Sequence, residues 1–171
     1  MPHNVRLWRR GNGHTAPAGS RATRGRIVIT LEKALDVRAP LREVFDACGR
    51  VERLPELLPH VREARPVAGG DHHHWVMDEA AGTPIEWDTV VTRFGTNQVL
   101  AWETPPGSVV RHSGRLVFRP NTDGTTRMSV GVSYVLPPGP FGERVAALVG
   151  SDELEGALRR WRARMEHHQA S

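Results

Sequence analysis

Pro84-Ile-Glu-Trp-Asp-Thr-Val-Val-Thr92, Gln98-Val-Leu-Ala-Trp-Glu-Thr104, Gly114-Arg-Leu-Val-Phe-Arg119 and Thr126-Arg-Met-Ser-Val-Gly-Val-Ser-Tyr134 are four β-like segments in succession. A loop, Pro137-Pro-Gly-Pro-Phe-Gly142, leads from them into a long helical pattern. Side chains alternate across a strand, so each segment divides into two faces. In the first, Ile85, Trp87, Thr89 and Val91 oppose a set that carries Glu86 and Asp88, so the former face inward. Leu100 and Trp102 are the inner set of the second; His112, Gly114, Leu116 and Phe118 share a face in the third. The fourth alternates most cleanly, with Met128, Val130, Val132 and Tyr134 on one side and Ser129, Gly131 and Ser133 on the other. Asn121-Thr-Asp-Gly124 reads as the hairpin turn between the last two.

Working outward, the helical pattern spans about Phe141 to His167, with a break expected at Gly150-Ser-Asp152. Leu154, Leu158, Trp161 and Met165 form its apolar stripe, so one side is buried and the rest faces solvent. Upstream, Arg26 to Val37 reads as a first strand. Pro40 suits the first turn of a helix whose inner face is Leu41, Val44, Phe45 and Cys48, closed by Gly49. Val51 to Pro59 is a second short helix containing Pro55. Val61 to Val67 and His74 to Glu79 are two further strands, the latter with Trp75 and Met77 inward. The expected architecture is α+β: a curved, seven-stranded antiparallel sheet against a long C-terminal helix, with two short helices after the first strand.

The chain has 171 residues, the size of one main domain. Residues 1–26 carry six Arg (6, 9, 10, 21, 24 and 26) and no acid, whereas the whole chain is only +4, so the remainder is net negative. This basic segment, rich in small and polar residues, reads as a disordered tail preceding a domain over 27–167. Six dispersed charges give weak, salt-sensitive contact with nucleic acid or an anionic surface, so the tail is read first as a solvated extension. No apolar run approaches the ~18 residues of a membrane span. Arg9-Arg10 is followed by Gly11-Asn-Gly-His14 rather than an apolar stretch, so no twin-arginine signal and a cytoplasmic location are expected. Cys48 is the only cysteine, which excludes an internal disulfide, and its place on the inner helix face predicts an inert thiol.

The motifs, in order, resemble the polyketide cyclase/dehydrase-like family of the START-like superfamily, which has the helix-grip fold. Val37-Arg-Ala-Pro-Leu-Arg-Glu-Val-Phe45 is similar to the usual opening of that family, and Leu54-Pro-Glu-Leu-Leu-Pro-His-Val61 to its second-helix element. Glu86-Trp-Asp88, Leu100-Ala-Trp102, the Gly114 to Phe118 strand, Gly124-Thr-Thr-Arg127 and Pro138-Gly-Pro-Phe-Gly142 follow in matching order over residues 30–167. The resemblance implies a deep cavity between sheet and C-terminal helix for a lipid, sterol, polyketide or hormone. It does not fix an activity, because fold alone is compatible with many functions. Aromatase/cyclases of this kind carry an Arg four residues after the Trp equivalent to Trp87; this chain has Val91 there, and Leu54 where they tend to have Trp. That departure argues against cyclase chemistry.

The expected inner lining is Trp75, Met77, Trp87, Val91, Leu100, Trp102, His112, Leu116, Phe118, Met128, Val130, Tyr134, Leu158 and Trp161. Such a set encloses an apolar ligand or simply packs a core. His112 and Tyr134 are the candidates for proton transfer or for anchoring a ligand, though no inward acid partners them. In His72-His73-His74, alternation allows only His72 and His74 to ligate together, and a zinc site would need another ligand such as His112 or Asp71; no metal or cofactor is expected. Three functions remain open from sequence. The first is non-catalytic binding of a hydrophobic small molecule or lipid, the second a cyclase/dehydratase-type enzyme, the third a tail-mediated contact with RNA or an anionic surface.

Overall fold

The computed structural model describes residues 21–23, 25–67, 69–78 and 83–171. The β-branched run at the start of β2 (Arg26–Val37) forms a long strand, which pairs antiparallel with β8 (Thr126–Leu136) along its whole length, from Ile27 opposite Leu136 to Val37 opposite Thr126. β7 (Arg111–Pro120), β6 (Val99–Glu103), β5 (Ile85–Gly95), β4 (His72–Met77) and β3 (Val61–Pro66) continue the antiparallel sheet in that order. These are the seven expected strands. An eighth, β1 (Arg21–Thr23), lies at the edge beside β2, pairing Arg21 with Val28.

β1 changes the boundary drawn from charge. Residues 1–26 read as a disordered tail, yet Arg21–Thr23 and Arg26 lie in strands, because the open edge of β2 satisfies backbone groups whatever the side chains carry. Residues 1–20, with Arg6, Arg9 and Arg10, and Arg24 lie outside the described residues, as do 79–82 of the turn before β5.

Helix α1 (Leu41–Cys48) follows Pro40 and buries Val44, Phe45 and Cys48. Val51–Glu56, read from sequence as a helix, is a 3₁₀ segment, since Pro55 lacks the N–H that a continuing α-helix needs. It packs on β3, with Leu54, Leu57 and Leu58 buried. Register shifts at Val61/Glu63 and Val91/Arg93 bend β3 and β5 and curl the sheet. The expected break in the C-terminal helix separates α2 (Pro140–Leu148) from α3 (Ser151–Gln169), with extended backbone at Val149 and Gly150. α3 buries Leu154, Ala157, Leu158 and Trp161 toward the sheet, and its backbone comes close to the strands chiefly along β2, where Lys33 and Glu155 are 3.5 Å apart. Beneath β4 to β7, large side chains fill the space between sheet and helix.

Candidate ligand-binding interior

The period-2 pattern aims Trp75 from β4, Trp87 from β5 and Trp102 from β6 at the same side of the sheet. Register then stacks them. Trp75 pairs directly with Trp87, their rings 6.0 Å apart and near parallel, and Trp75 lies 5.9 Å from Trp102 in the same manner. His112 meets Trp75 and Trp87 edge-on at 5.4 and 5.7 Å, and stacks on Tyr134, its neighbour on β8, at 4.4 Å. Five rings from five strands thus form one layer.

Hydrogen bonding divides the indoles. Trp75 Nε1 donates to Thr89 Oγ1 at 2.7 Å. Trp102 Nε1 donates to His112 Nε2 at 2.9 Å. Trp87 Nε1 is buried and has no partner among the described residues. Because His112 Nε2 accepts, its proton sits on Nδ1, which donates to the Ser133 carbonyl at 3.2 Å. Burial pushes the His112 pKa down to about 3, against a smaller upward pull from the Ser133 bond, so the ring is neutral. Burial alone pushes the Tyr134 hydroxyl up, so it stays protonated. Thr104 N–H donates to the His112 carbonyl at 2.8 Å and His112 N–H to the Thr104 side-chain Oγ1 at 3.1 Å, which ties this layer to the loop after β6.

Of the fourteen residues expected to line the interior, thirteen are buried in one core, and Val91, next to the β5 register shift, is partly buried against it. Trp75, Trp87, Trp102, His112 and Tyr134 gather at one end. Phe118 belongs to the other end, 5.2 Å from Phe45 of α1 in an edge contact. His112 and Tyr134 are adjacent, but both His112 nitrogens are already bonded, which leaves neither free for proton transfer. Sequence reading missed Ser133 and Thr89 as partners of the layer, although the inward parity of Thr89 was visible. His73 is buried while His72 is exposed and His74 lies between a bond to Asp88 Oδ1 at 2.7 Å and Glu86 Oε2 at 3.5 Å. No cluster able to hold a metal occurs among the described residues.

The deep cavity that the resemblance implies is taken up by these side chains. Two depressions of the described surface lie elsewhere. One, of about 650 Å³, is at the rim beside the ring layer, between the Glu103–Val109 loop, Arg26, Arg111 and the Val135–Pro138 segment. The other, of about 270 Å³, is on the outer sheet face around Gly131, Glu32 and Arg115.

A curled antiparallel sheet gripping a long C-terminal helix, with an aromatic inner face, is the helix-grip fold of START-like proteins. The chain belongs to the family described as polyketide cyclase/dehydrase and lipid transport, whose model matches residues 28–166. Solved structures agree on the fold. A protein from Deinococcus radiodurans is 22% identical, with a TM-score of 0.68, covering 82% of this chain and 98% of its own. A START superfamily protein from Mycobacterium smegmatis is 19% identical (TM-score 0.57; 81% and 97% covered), and a Thermus thermophilus protein 22% (0.60; 80% and 97%). None of the curated proteins compared matches the chain. No helix among the described residues is long and apolar enough to cross a membrane.

Proposed function

We propose that the chain binds a hydrophobic small molecule or lipid between the inner sheet face and α3, without catalysing a reaction. The observation that carries this reading is the buried aromatic layer on the inner sheet face. α3 comes closest to the strands along β2, while β4 to β8 meet one another on that face through indole, imidazole and phenol rings. Side chains turn about χ angles without unfolding a strand, so a flat apolar molecule can take the place of one ring in the stack. Family membership supports an apolar ligand. The double bonding of His112 and its neutral state support binding over acid–base chemistry.

Mass spectrometry of the purified protein, native and then after solvent extraction, tests the reading. A stoichiometric apolar passenger is expected. A bare protein that also takes up no apolar compound from a lipid extract would contradict it.

A further inference from the structure

Three indoles are stacked in the same buried layer, and two of them are satisfied. Trp75 donates to Thr89 and Trp102 to His112. The third, Trp87, presents an N–H that is buried and unpartnered. A buried donor without an acceptor loses its hydration with nothing in return, and an acceptor brought in by a ligand recovers that loss. No acceptor of the layer bonds to it. Thr89 Oγ1 already accepts from Trp75, and His112 Nε2 is taken by Trp102. The Tyr134 ring stacks on His112 at 4.4 Å, and burial keeps its hydroxyl protonated.

We infer that Trp87 Nε1 is the polar anchor of the interior, and that the ligand is an uncharged apolar molecule carrying a carbonyl-type oxygen, which accepts from Trp87. This rests on the binding reading above. The ligand's charge follows from the surroundings. The rings that enclose Trp87 are neutral, His112 included, so a carboxylate would be desolvated with no counter-ion beside it. A hydrocarbon of the same shape would leave the indole N–H unpaired, as it is now.

Three probes of one shape separate these cases: 2-acetylnaphthalene, 2-ethylnaphthalene and 2-naphthoate, titrated calorimetrically against the full chain. The ketone is expected to bind roughly tenfold more tightly than the ethyl compound, the effect of one hydrogen bond to a buried donor. Naphthoate should be the weakest of the three. In Trp87→Phe the ratio of ketone to ethyl affinity should fall toward one, with near-ultraviolet circular dichroism confirming that the variant is folded. In the wild type, the Trp87 indole proton should move downfield on adding the ketone and not on adding the ethyl compound. Equal affinities for ketone and ethyl probes, a ratio unchanged in a folded Trp87→Phe, or naphthoate as the tightest probe would overturn the anchor while leaving an apolar site standing. If no probe binds at all, the binding reading itself falls, and the anchor with it.

Discussion

Gly114 stands directly opposite Trp102 in the β6–β7 ladder, and the indole lies across the place where a side chain would begin. A Cβ built on Gly114 would come within 2.1 Å of Trp102 Cζ2. The glycine is therefore what lets the Trp102 indole lie flat and deliver its N–H to His112, two residues along the same strand. Gly114→Ala should push the ring aside, weaken the Trp102–His112 bond and cost about 1–3 kcal/mol, as overpacking of a filled core does. Urea unfolding with near-ultraviolet circular dichroism checks this; an unchanged midpoint and aromatic spectrum would refute it.

His112 makes stability depend on acidity in one direction. Its folded-state pKa is about 3 against an ordinary 6.5, so between those values the unfolded chain binds the proton and the folded chain does not. The stability contributed by neutral His112 is complete above about pH 6.5 and is lost as pH falls toward 3, with a limiting slope of about 1.4 kcal/mol per pH unit. His112→Gln removes this titration. Unfolding curves from pH 7 to pH 4 should therefore be steeper in pH for the wild type than for the variant. Parallel curves would count against a neutral, buried ring.

Thr89 is the acceptor that makes the Trp75 indole affordable inside the core. Thr89→Val keeps the shape and strips the acceptor, leaving a second indole N–H unpaired. A loss of about 1–3 kcal/mol in unfolding free energy is expected. The indole N–H of Trp75 should also shift upfield in the amide spectrum. A neutral substitution would mean that the bond contributes nothing net.

Cys48 is predicted to be unreactive. It is fully buried, its thiol donates to the Val44 carbonyl at 3.2 Å, and burial, with a lesser push from Glu56, raises its pKa well above the usual thiol range. A disulfide-exchange dye should label it only after denaturant is added. Labelling of the native protein at the rate of a free thiol would place Cys48 at an accessible surface.

Much of this fold is legible in the residues, and the reason is periodicity. The inward sets of β5 to β8 follow from alternation alone, because one misplaced residue would bury Glu86 and Asp88. β2 is readable from its β-branched start and from Pro40 after its end. The failures share a cause as well. β1 has only three residues, too few for a pattern, and exists because β2 offers it an edge. β4 begins at His72 rather than His74, and β7 at Arg111 rather than Gly114, since histidine, arginine and glycine carry no strand signal of their own and follow partners in the ladder. In the site, sequence places His112, Tyr134 and the indoles on one face. It cannot tell which ring nitrogen bonds to which indole, because that depends on cross-strand register. Nor can it tell an open cavity from a filled one, which depends on how far α3 stands from β4 to β7.

The central claim is that a ligand sits against the indoles of β4, β5 and β6. An amide spectrum of the nitrogen-15-labelled protein, titrated with 2-acetylnaphthalene, tests it most directly through the indole N–H signals. The account predicts that Trp75, Trp87 and Trp102 move together and saturably, with Trp87 showing the downfield shift of a newly made hydrogen bond. Saturable binding that leaves these three signals in place, and moves instead the amides of the Glu103–Val109 loop at the rim, would contradict it.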